Sequence, residues 1–154
     1  MVRMRKATRA DAQAIWDLRN ASIMVKCKGY YPDATLRKWT SGVPAEPFYG
    51  DVQRDCYLAI DSEGIAGFGM IDLERARVKS LFVHPRHVAK GIGKLILSHL
   101  ENLARNAGLE QLSLDSSLNA APFYRTCGFT GDAAGKYESA NGVILDCIPM
   151  SKRL

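Results

Sequence analysis

The chain has 154 residues, of which 47% are hydrophobic and 24% charged, and its formal net charge is +5. A chain of this length can bury a substantial core, so we expect one domain spanning residues 1–154. No apolar run approaches the roughly 20 residues that span a membrane, so no membrane association is expected. The N-terminus is basic but lacks the apolar stretch of a signal peptide, which predicts a cytoplasmic location.

The charge and the cysteines argue against two classes of protein. Residues 1–50 contain nine Lys or Arg and four Asp or Glu, but they form no long basic run. A nucleic-acid-binding domain is therefore the weakest hypothesis, and no nucleic-acid partner is expected. Cys27, Cys56, Cys127 and Cys147 are widely spaced, without paired cysteines or histidines at ligand spacing. We accordingly predict no metal site.

The first third of the chain predicts a strand, a helix and an aromatic segment. Residues 2–7 have the pattern of a strand, and Thr8 is a plausible N-cap for a helix that runs to about residue 26. The segment 29–50 contains three prolines and five aromatic residues. We predict it to be irregular, with a short helix over 35–40.

The rest of the chain alternates strands with helices. Strands are predicted at 55–60, 65–72, 76–83 and 111–115. A helix follows Gly91 and ends before Gly108, and a shorter helix covers 119–127. Asn141-Gly142 predicts a hairpin with a type I′ turn. The fold class is therefore α/β (α+β), with a single mixed central sheet and helices on both faces.

The stretch 78–97 is an apolar strand, a short basic loop with two glycines, and an amphipathic helix. The N–H groups at a helix N-terminus are unpaired and favour an anion, so a phosphate group fits there. Gly91 and Gly93 would let the backbone approach that ligand. Positive charge around the loop comes from Arg86, Lys90 and Lys94. The alternative is an ordinary connection in which the glycines only ease the turn.

Two familiar nucleotide-binding motifs do not fit this loop. A Walker A loop needs Ser or Thr after Gly93-Lys94, where Leu95 stands. A dinucleotide fingerprint needs a third glycine at the position of Ile96. The ligand is therefore predicted to carry phosphate without being bound by either motif.

A second motif follows the next strand and, with the first, points to a family. Residues 81–85, Leu-Phe-Val-His-Pro, form an apolar strand that ends near Val-x-Pro, and residues 91–93, Gly-Ile-Gly, are the loop glycines. Residues 120–129 contain a Phe-Tyr pair followed by Gly-Phe. In this order and spacing the motifs resemble the GCN5-related N-acetyltransferases (GNAT), and the resemblance extends over essentially the whole chain.

The resemblance implies a GNAT fold in which a splayed strand pair binds coenzyme A, with acetyl-CoA as the cosubstrate and no metal. The pyrophosphate would lie on residues 88–94 and the pantetheine arm along 81–83, whose backbone groups are left free. The implied cofactor-binding residues are Leu81, Phe82, Val83, Val88, Ala89, Lys90, Gly91, Ile92, Gly93, Lys94, Ser117, Asn119, Phe123 and Tyr124.

Two positions depart from the family pattern. Val88 stands where the loop usually begins with Gln or Arg, and its neighbour, often glycine, is Ala89. Backbone N–H groups can still hold the phosphates, but one side-chain contact is lost. The asparagine often found seven residues before the tyrosine is Ser117, with Asn119 close by. Both residues are therefore candidates for contacting the pantetheine arm.

The family mechanism implies transfer of an acetyl group to a primary amine by direct attack on the thioester. The N–H of Val83 is the candidate that holds the thioester oxygen as it becomes an oxyanion. Tyr124 occupies the position of the general acid that protonates the departing thiolate, and its alternative role is that of a packed aromatic. The base stays open between a water and four side chains: Glu74, Asp72, His84 and Asp115.

The acceptor is predicted to be a small-molecule or peptide amine. The aromatic segment supplies its walls, with Tyr30, Tyr31 and Trp39 as substrate-binding candidates and Phe48 and Tyr49 beside them. The alternative is that these aromatics only hold an irregular segment on the core.

The alternative function is a noncatalytic CoA sensor or a protein-interaction module, which the departures at Val88 and Ser117 favour. Dimers are common in the resembled family, so a homodimer is compatible with the sequence. None of these motifs specifies the acceptor.

Overall fold

The computed structural model describes residues 1–87 and 91–154, which contain a seven-stranded mixed sheet and five α-helices. The strands, in sheet order, are β1 (Arg3–Lys6), β2 (Cys56–Asp61), β3 (Gly64–Asp72), β4 (Arg77–Val83), β5 (Gln111–Ser116), β7 (Ile144–Arg153) and β6 (Gly135–Glu138). The helices are α1 (Ala12–Lys26), α2 (Asp33–Trp39), α3 (Glu46–Asp55), α4 (Ile92–Asn106) and α5 (Ala121–Thr126). Neighbouring strands are antiparallel except β4 and β5, which are parallel. Within the described ranges, no helix has both the length and the apolar character needed to cross a membrane.

The first helix begins one short turn after its predicted cap. Thr8 precedes a single 3-10 turn, Arg9–Asp11, and its backbone N–H donates to the Asp11 carboxylate at 2.8 Å. The same carboxylate accepts two hydrogen bonds from the Arg5 guanidinium, at 2.9 and 3.0 Å. α1 then runs to Lys26, as the apolar spacing predicts.

Helices cover both faces of the sheet, which confirms the predicted fold class. On one face, α1 and α3 pack on β2 and β3 through Ile15, Trp16, Phe48, Val52 and Phe68. On the other face, the buried side of α4 packs on β3 and β4 through Ile92, Ile96, Leu97 and Leu100. Because both faces are covered, the centre of β3 is buried without alternation.

α4 approaches β3 closely because two glycines lie beneath it. A Cβ on Gly69 would lie 2.7 Å from Ile96 Cγ2 and 2.9 Å from Leu100 Cδ1. A Cβ on Gly67 would lie 2.9 Å from Ile96 Cδ1. The glycines leave room for the branched side chains of α4, and this contact fixes the start of α4 beside the end of β4.

β4 and β5 separate almost as soon as they meet. Among the described residues their only paired positions are Arg77 and Ser113, and the Ser113 N–H donates to the Ala76 carbonyl at 3.0 Å. Beyond that point β4 continues to Val83 and β5 to Ser116 without pairing to each other. The sheet therefore has the splayed strand pair that the resemblance implies.

We predicted residues 29–50 to be irregular apart from one short helix. This was wrong for the C-terminal end of the segment. α3 begins at Glu46 and buries Phe48 and Val52. Pro47 lies in its first turn, where a helix does not need the proline N–H. The proline therefore starts this helix instead of preventing it.

The predicted type I′ turn was also wrong. β6 ends at Glu138 and β7 begins at Ile144, so the loop is longer than two residues. Gly142 has a φ of +82°, whereas Asn141 keeps a negative φ. The Asn141 side-chain amide donates to three carbonyls at the end of α2, those of Lys38, Trp39 and Ser41, at 2.9–3.1 Å. The asparagine thus docks the hairpin on α2.

Candidate active site

Two cavities meet at the opening between β4 and β5. One, of about 600 Å³, lies between the end of α1, the end of β4 and the first turns of α4 and α5, and we call it the loop-side cavity. The other, of about 320 Å³, lies between β4, β5, the aromatic segment and the β6–β7 hairpin, and we call it the hairpin-side cavity. Both are lined by Leu81, Phe82, Ser117, Ala120 and Tyr124. Ligands in the two cavities would meet at these residues.

The loop-side cavity brings together most of the implied cofactor residues. Its lining includes eleven of them: Leu81, Phe82, Val83, Gly91, Ile92, Gly93, Lys94, Ser117, Asn119, Phe123 and Tyr124. The other three, Val88, Ala89 and Lys90, lie outside the described residues. The lining also contains Ser22, Lys26, Cys27, His87 and Ala120, which the sequence analysis did not assign to the cofactor. Ser22 and Lys26 are on α1 and Cys27 directly follows it, and no local motif marks these three because the packing of α1 against the end of β4 sets their position.

The edge of β4 that faces the opening carries backbone groups that do not pair with β3. The His84 N–H donates to the Ala66 carbonyl at 2.8 Å, so His84 and Phe82 belong to the hydrogen-bonded pairs with β3. In an antiparallel ladder the alternate residues direct their N–H and C=O groups the other way. Leu81 and Val83 therefore offer donors and acceptors to a ligand in the loop-side cavity.

A lysine from the last turn of α1 reaches the same edge. Lys26 Nζ donates to the Val83 carbonyl at 3.1 Å. The side chain is half-buried in the loop-side cavity, and burial lowers its pKa from the ordinary value. With Lys94 in the first turn of α4, Lys26 gives the cavity positive charge beside a helix N-terminus, where anions are favoured.

The two loop glycines have different roles. Gly91 has a φ of +74° at the N-cap of α4, a left-handed conformation that favours glycine. A Cβ on Gly93 would lie 3.1 Å from the Phe123 ring. Gly93 therefore allows the contact between α4 and α5, a role that the sequence analysis did not assign to it.

Tyr124 lies at the boundary of the two cavities, on α5. Its ring packs edge-on against Phe123 and Phe129, with centroids 5.2 and 5.8 Å away, and the residue is 6% exposed. Burial raises the pKa of the phenol well above its usual range, so the hydroxyl stays protonated at neutral pH. The hydroxyl has no hydrogen-bond partner in the part of the chain that is described. Tyr124 lines both cavities and its hydroxyl oxygen is not fully enclosed by protein, so this hydroxyl is available to a ligand.

Ser117 and Asn119 both line the loop-side cavity, so the structure keeps both as candidates for contacting a ligand. Asn119 has a fixed orientation, because its Oδ1 accepts a hydrogen bond from the Cys27 thiol at 3.2 Å. Burial raises the pKa of Cys27 to about 12, which keeps that thiol protonated. The Asn119 amide nitrogen is therefore the part of this side chain left for another contact.

The aromatic segment reaches the hairpin-side cavity only in part. Tyr31, Trp39 and Phe48 line it. Tyr30 is 55% exposed and lies outside both linings. Tyr49 packs against the Arg9 guanidinium, also outside the cavity. Three of the five aromatics are thus brought together, and Tyr30 is separated from them because its side chain faces solvent.

Tyr31 also has a structural role. Its hydroxyl donates to the Asp146 carbonyl at 2.7 Å and accepts from the Leu118 N–H at 3.1 Å. Burial raises the pKa of this phenol to about 12. The ring lies 5.5 Å from that of Trp39. Tyr31 therefore both lines the cavity and holds the aromatic segment on the core, the two roles that were considered as alternatives.

Most charged side chains of the hairpin-side cavity are neutralised in pairs. Arg77 forms an ion pair with Asp115 across the point where β4 and β5 meet. Lys79 contacts the carboxylates of Asp51 and Asp55, both at 2.9 Å. These groups give the cavity wall polarity with little net charge.

Arg19, on α1, is a buried charged residue of the same cavity that forms no ion pair with the described residues. It is 5% exposed and lines the hairpin-side cavity. Its Nη1 donates to Asn20 Oδ1 at 2.7 Å and to the Trp39 carbonyl at 3.2 Å. Its guanidinium lies over the Trp16 ring, 4.4 Å from the centroid.

The four candidate bases are far apart. Glu74 is exposed in the turn between β3 and β4, and Asp72 stands just before it. That turn is at the other end of β4 from Val83, about 20 Å away along the strand. His84 lines neither cavity. Of the four, only Asp115 lines the hairpin-side cavity, so the structure does not bring Glu74 to the other site residues.

His87 joins the turn after β4 to the β2–β3 hairpin. Its Nδ1 lies 3.3 Å from Asp61 Oδ2 and its Nε2 lies 3.9 Å from Glu63 Oε2. These three residues form the one group of potential metal ligands in the described ranges. The two carboxylates flank opposite nitrogens of the ring, and Nδ1 makes no hydrogen bond to the described residues. The absence of a metal stays a prediction.

Comparisons with known proteins match this architecture. The sequence model of the acetyltransferase (GNAT) domain matches residues 27–154. A comparison with curated proteins found no match. Among solved structures, a GCN5-related N-acetyltransferase from Rhodopseudomonas palustris is 23% identical, with a TM-score of 0.88 over 99% of this chain and 95% of that one.

Two further solved structures carry the cofactor. The PaiA N-acetyltransferase from Thermoplasma acidophilum, in complex with coenzyme A, is 18% identical, with a TM-score of 0.75 over 100% of this chain and 99% of that one. YncA from Salmonella typhimurium, with its cofactor acetyl-CoA, is 23% identical, with a TM-score of 0.69 over 100% of this chain and 94% of that one. At these identities the likeness shows the fold.

The domain match covers well over half of the chain and therefore shows the family. The protein belongs to the GCN5-related N-acetyltransferases and is, by family, an acetyltransferase. The predicted family, fold class and enzyme class are confirmed.

Proposed function

We propose that the protein transfers an acetyl group from acetyl-CoA to a primary amine of a small molecule or peptide. The amine attacks the thioester directly, and Tyr124 is the general acid. One observation carries the proposal: the protonated hydroxyl of Tyr124, which has no hydrogen bond to a described residue, stands where the two cavities meet. The loop-side cavity would hold the cofactor and the hairpin-side cavity the acceptor.

The cofactor placement is supported by charge and by the free edge of β4. The pyrophosphate lies at the start of α4, with Lys94 and Lys26 as nearby cations. The pantetheine arm runs along Leu81, whose backbone groups pair with its amides, towards Val83. The presence of coenzyme A in PaiA and acetyl-CoA in YncA supports the same ligand here.

The chemical steps use these groups in turn. The neutral amine nitrogen attacks the thioester carbonyl, and the Val83 N–H stabilises the resulting oxyanion, a donor worth about 3 to 4 kcal/mol. The C–S bond breaks as the amide forms, and Tyr124 donates its proton to the departing thiolate. Water at Asp115 is the proton acceptor favoured for the amine, because that carboxylate lines the acceptor cavity.

Replacing Tyr124 by Phe removes the proposed acid while keeping the ring. We expect kcat to fall by roughly 10²- to 10³-fold, as general acid catalysis typically contributes, with the Kd for CoA nearly unchanged. Release of free thiol from acetyl-CoA with a panel of amines measures kcat, and calorimetry measures CoA binding. Tyr57→Phe is the matched control, because Tyr57 lies on β2 and lines neither cavity.

Two outcomes would contradict the proposal in different ways. Full activity of Tyr124→Phe would show that Tyr124 is not the general acid, while the proposed transferase function would still hold. Tight CoA binding without turnover of any amine by the unaltered protein would favour a CoA sensor.

A further inference from the structure

The Arg19 guanidinium is a buried cation on α1. Within residues 1–87 and 91–154 it forms no ion pair, although it is only 5% exposed. Burial lowers its pKa to about 10, so it is still charged at neutral pH. Charged side chains are rarely buried so completely unless they are paired, since removing the charge from water is unfavourable. We therefore expect a bound molecule to supply an anionic group that pairs with this guanidinium.

The surrounding carboxylates do not supply that group. Asp115 is bound to Arg77, and Asp51 is bound to Lys79. Glu138 and Asp146 also line the cavity, but both residues are exposed to solvent, and Asp146 is bound to Lys136. Among the charged residues of the described cavity lining, Arg19 is thus the buried one that forms no ion pair, and a single guanidinium charge matches a carboxylate better than a phosphate dianion.

The guanidinium is also held in a fixed orientation. Trp16 supports one of its flat faces, and Nη1 is fixed by Asn20 and the Trp39 carbonyl. Nε and Nη2 have no acceptor in the part of the chain that is described. An arginine held by its face and one nitrogen presents its remaining N–H groups as a fork that fits a carboxylate.

The position of Arg19 suits an acceptor of small size. Arg19, Ser22 and Lys26 follow helical spacing on α1, with Arg19 in the hairpin-side cavity and the other two in the loop-side cavity. The span from Arg19 to Lys26 is about 10 Å along the helix axis. Tyr124 lines the hairpin-side cavity as well, so a molecule bound at Arg19 occupies the cavity that also contains the proposed acid.

We propose that Arg19 is a carboxylate-binding residue of the acceptor site, and that the acceptor is a small amine that also carries a carboxylate, such as a free amino acid. This inference rests on the proposed transferase function. Trp39, Phe48 and Phe68, which line the same cavity, would contact the apolar part of such a molecule.

The first test uses the unaltered protein and matched acceptors. Phenylalanine, leucine and methionine are each compared with their carboxamide and with the amine that lacks the carboxylate. The amino group of the carboxamide is less basic, and that of the decarboxylated amine more basic, than that of the amino acid, so basicity alone cannot produce the expected order. We expect kcat/KM to be roughly 10- to 100-fold higher for the amino acid, as charge-assisted hydrogen bonds typically provide. Calorimetry in the presence of CoA compares binding of the same three forms.

The second test changes the guanidinium. Arg19→Gln should raise the KM for the amino acid by about the same factor while leaving the KM for the decarboxylated amine nearly unchanged. Arg19→Lys keeps the charge but loses the fork, so it should restore part of the preference. Arg37→Gln is the control, because Arg37 is an exposed arginine on α2 that lines neither cavity.

The possible outcomes test the carboxylate-binding role of Arg19 and the transferase function independently. Acetylation of all three forms with equal kcat/KM would overturn the subsite and keep the transferase. Preferential binding of amino acids without any turnover would overturn the transferase and keep the subsite. A folded Arg19→Gln protein that retains the preference would also overturn the subsite. Should that variant not fold, the comparison of acceptors with the unaltered protein decides the matter.

Discussion

The Asp11 carboxylate connects the first strand to the first helix. It accepts hydrogen bonds from the Arg5 guanidinium and from the Thr8 N–H. The bond from Arg5 is the main reason that the pKa of Asp11 falls from 3.8 to about 2. Because the folded state holds the carboxylate in its ionised form, this residue links stability to pH.

Asp11→Asn should lower the free energy of unfolding by about 1 to 2 kcal/mol at pH 7. A lowered folded-state pKa contributes stability above the unfolded value of 3.8, and this contribution is lost as the pH falls through 3.8 to about 2. The difference between the two proteins should therefore shrink over that range. Urea titrations at pH 7, 4 and 2.5 measure it, with Asp132→Asn, an exposed carboxylate, as the control. A difference that does not change with pH would contradict the linkage.

At the scale of single residues, the sequence predicts the site where a motif is local. Tyr124 and the loop glycines stand in short motifs, and the structure brings them together at the opening of the sheet. Arg19 and Lys26 belong to an ordinary amphipathic helix, and only packing brings them to the cavities. Glu74 lines neither cavity, and its position beside a strand in sequence does not indicate which end of the sheet it occupies.

Among the elements, the packing of α4 on the sheet depends on the glycines of β3 that lie beneath it. Gly69→Ala places a methyl group against Ile96 and Leu100, both fully buried and unable to move freely. We expect a loss of about 1 to 3 kcal/mol in the free energy of unfolding. Thermal or urea unfolding measures the change.

Gly50→Ala is the matched control for this change. Gly50 lies within α3, and an added Cβ would meet nothing within 4 Å. There we expect a gain of about 0.5 to 1 kcal/mol, because alanine favours a helix more than glycine does. Equal effects at the two glycines would contradict the packing argument.

Elements with strong periodicity were predictable and those decided by context were not. The amphipathic stripe after Gly91 and the apolar spacing of α1 correspond to the observed helices. α3 was missed because Pro47 is unfavourable inside a helix but acceptable in its first turn. The Asn141-Gly142 pair favours a tight turn in isolation, but the Asn141 amide is used for contacts with α2 instead.

For the molecule as a whole, a bound cofactor would connect the two halves of the sheet, which separate between β4 and β5. The described residues of β4 and β5 pair at one position, while α1, α4 and α5 surround the opening. A ligand bound there contacts both halves of the sheet. Binding to the folded state alone adds stability, about 2.7 kcal/mol at a concentration 100-fold above Kd.

Amide hydrogen exchange along β4 tests where that ligand binds. Without cofactor, the amides of Leu81 and Val83 should exchange faster than those of Phe82 and His84, which belong to the pairs with β3. Saturating CoA should slow the first two by at least tenfold and change the second two much less. The second pair is the internal control. Equal protection of all four amides without cofactor would contradict the proposed orientation of β4.

The splayed pair also bears on aggregation. Unpaired strand edges attract other chains, and proteins usually place them at the rim of a sheet and protect them there. Here two such edges are in the middle of the sheet, between β4 and β5, enclosed by α1, α4 and α5. These edges are therefore away from the rim of the sheet, where a strand from another protein would most easily pair. The opening can therefore recognise a ligand through its backbone without exposing the protein to edge-to-edge association.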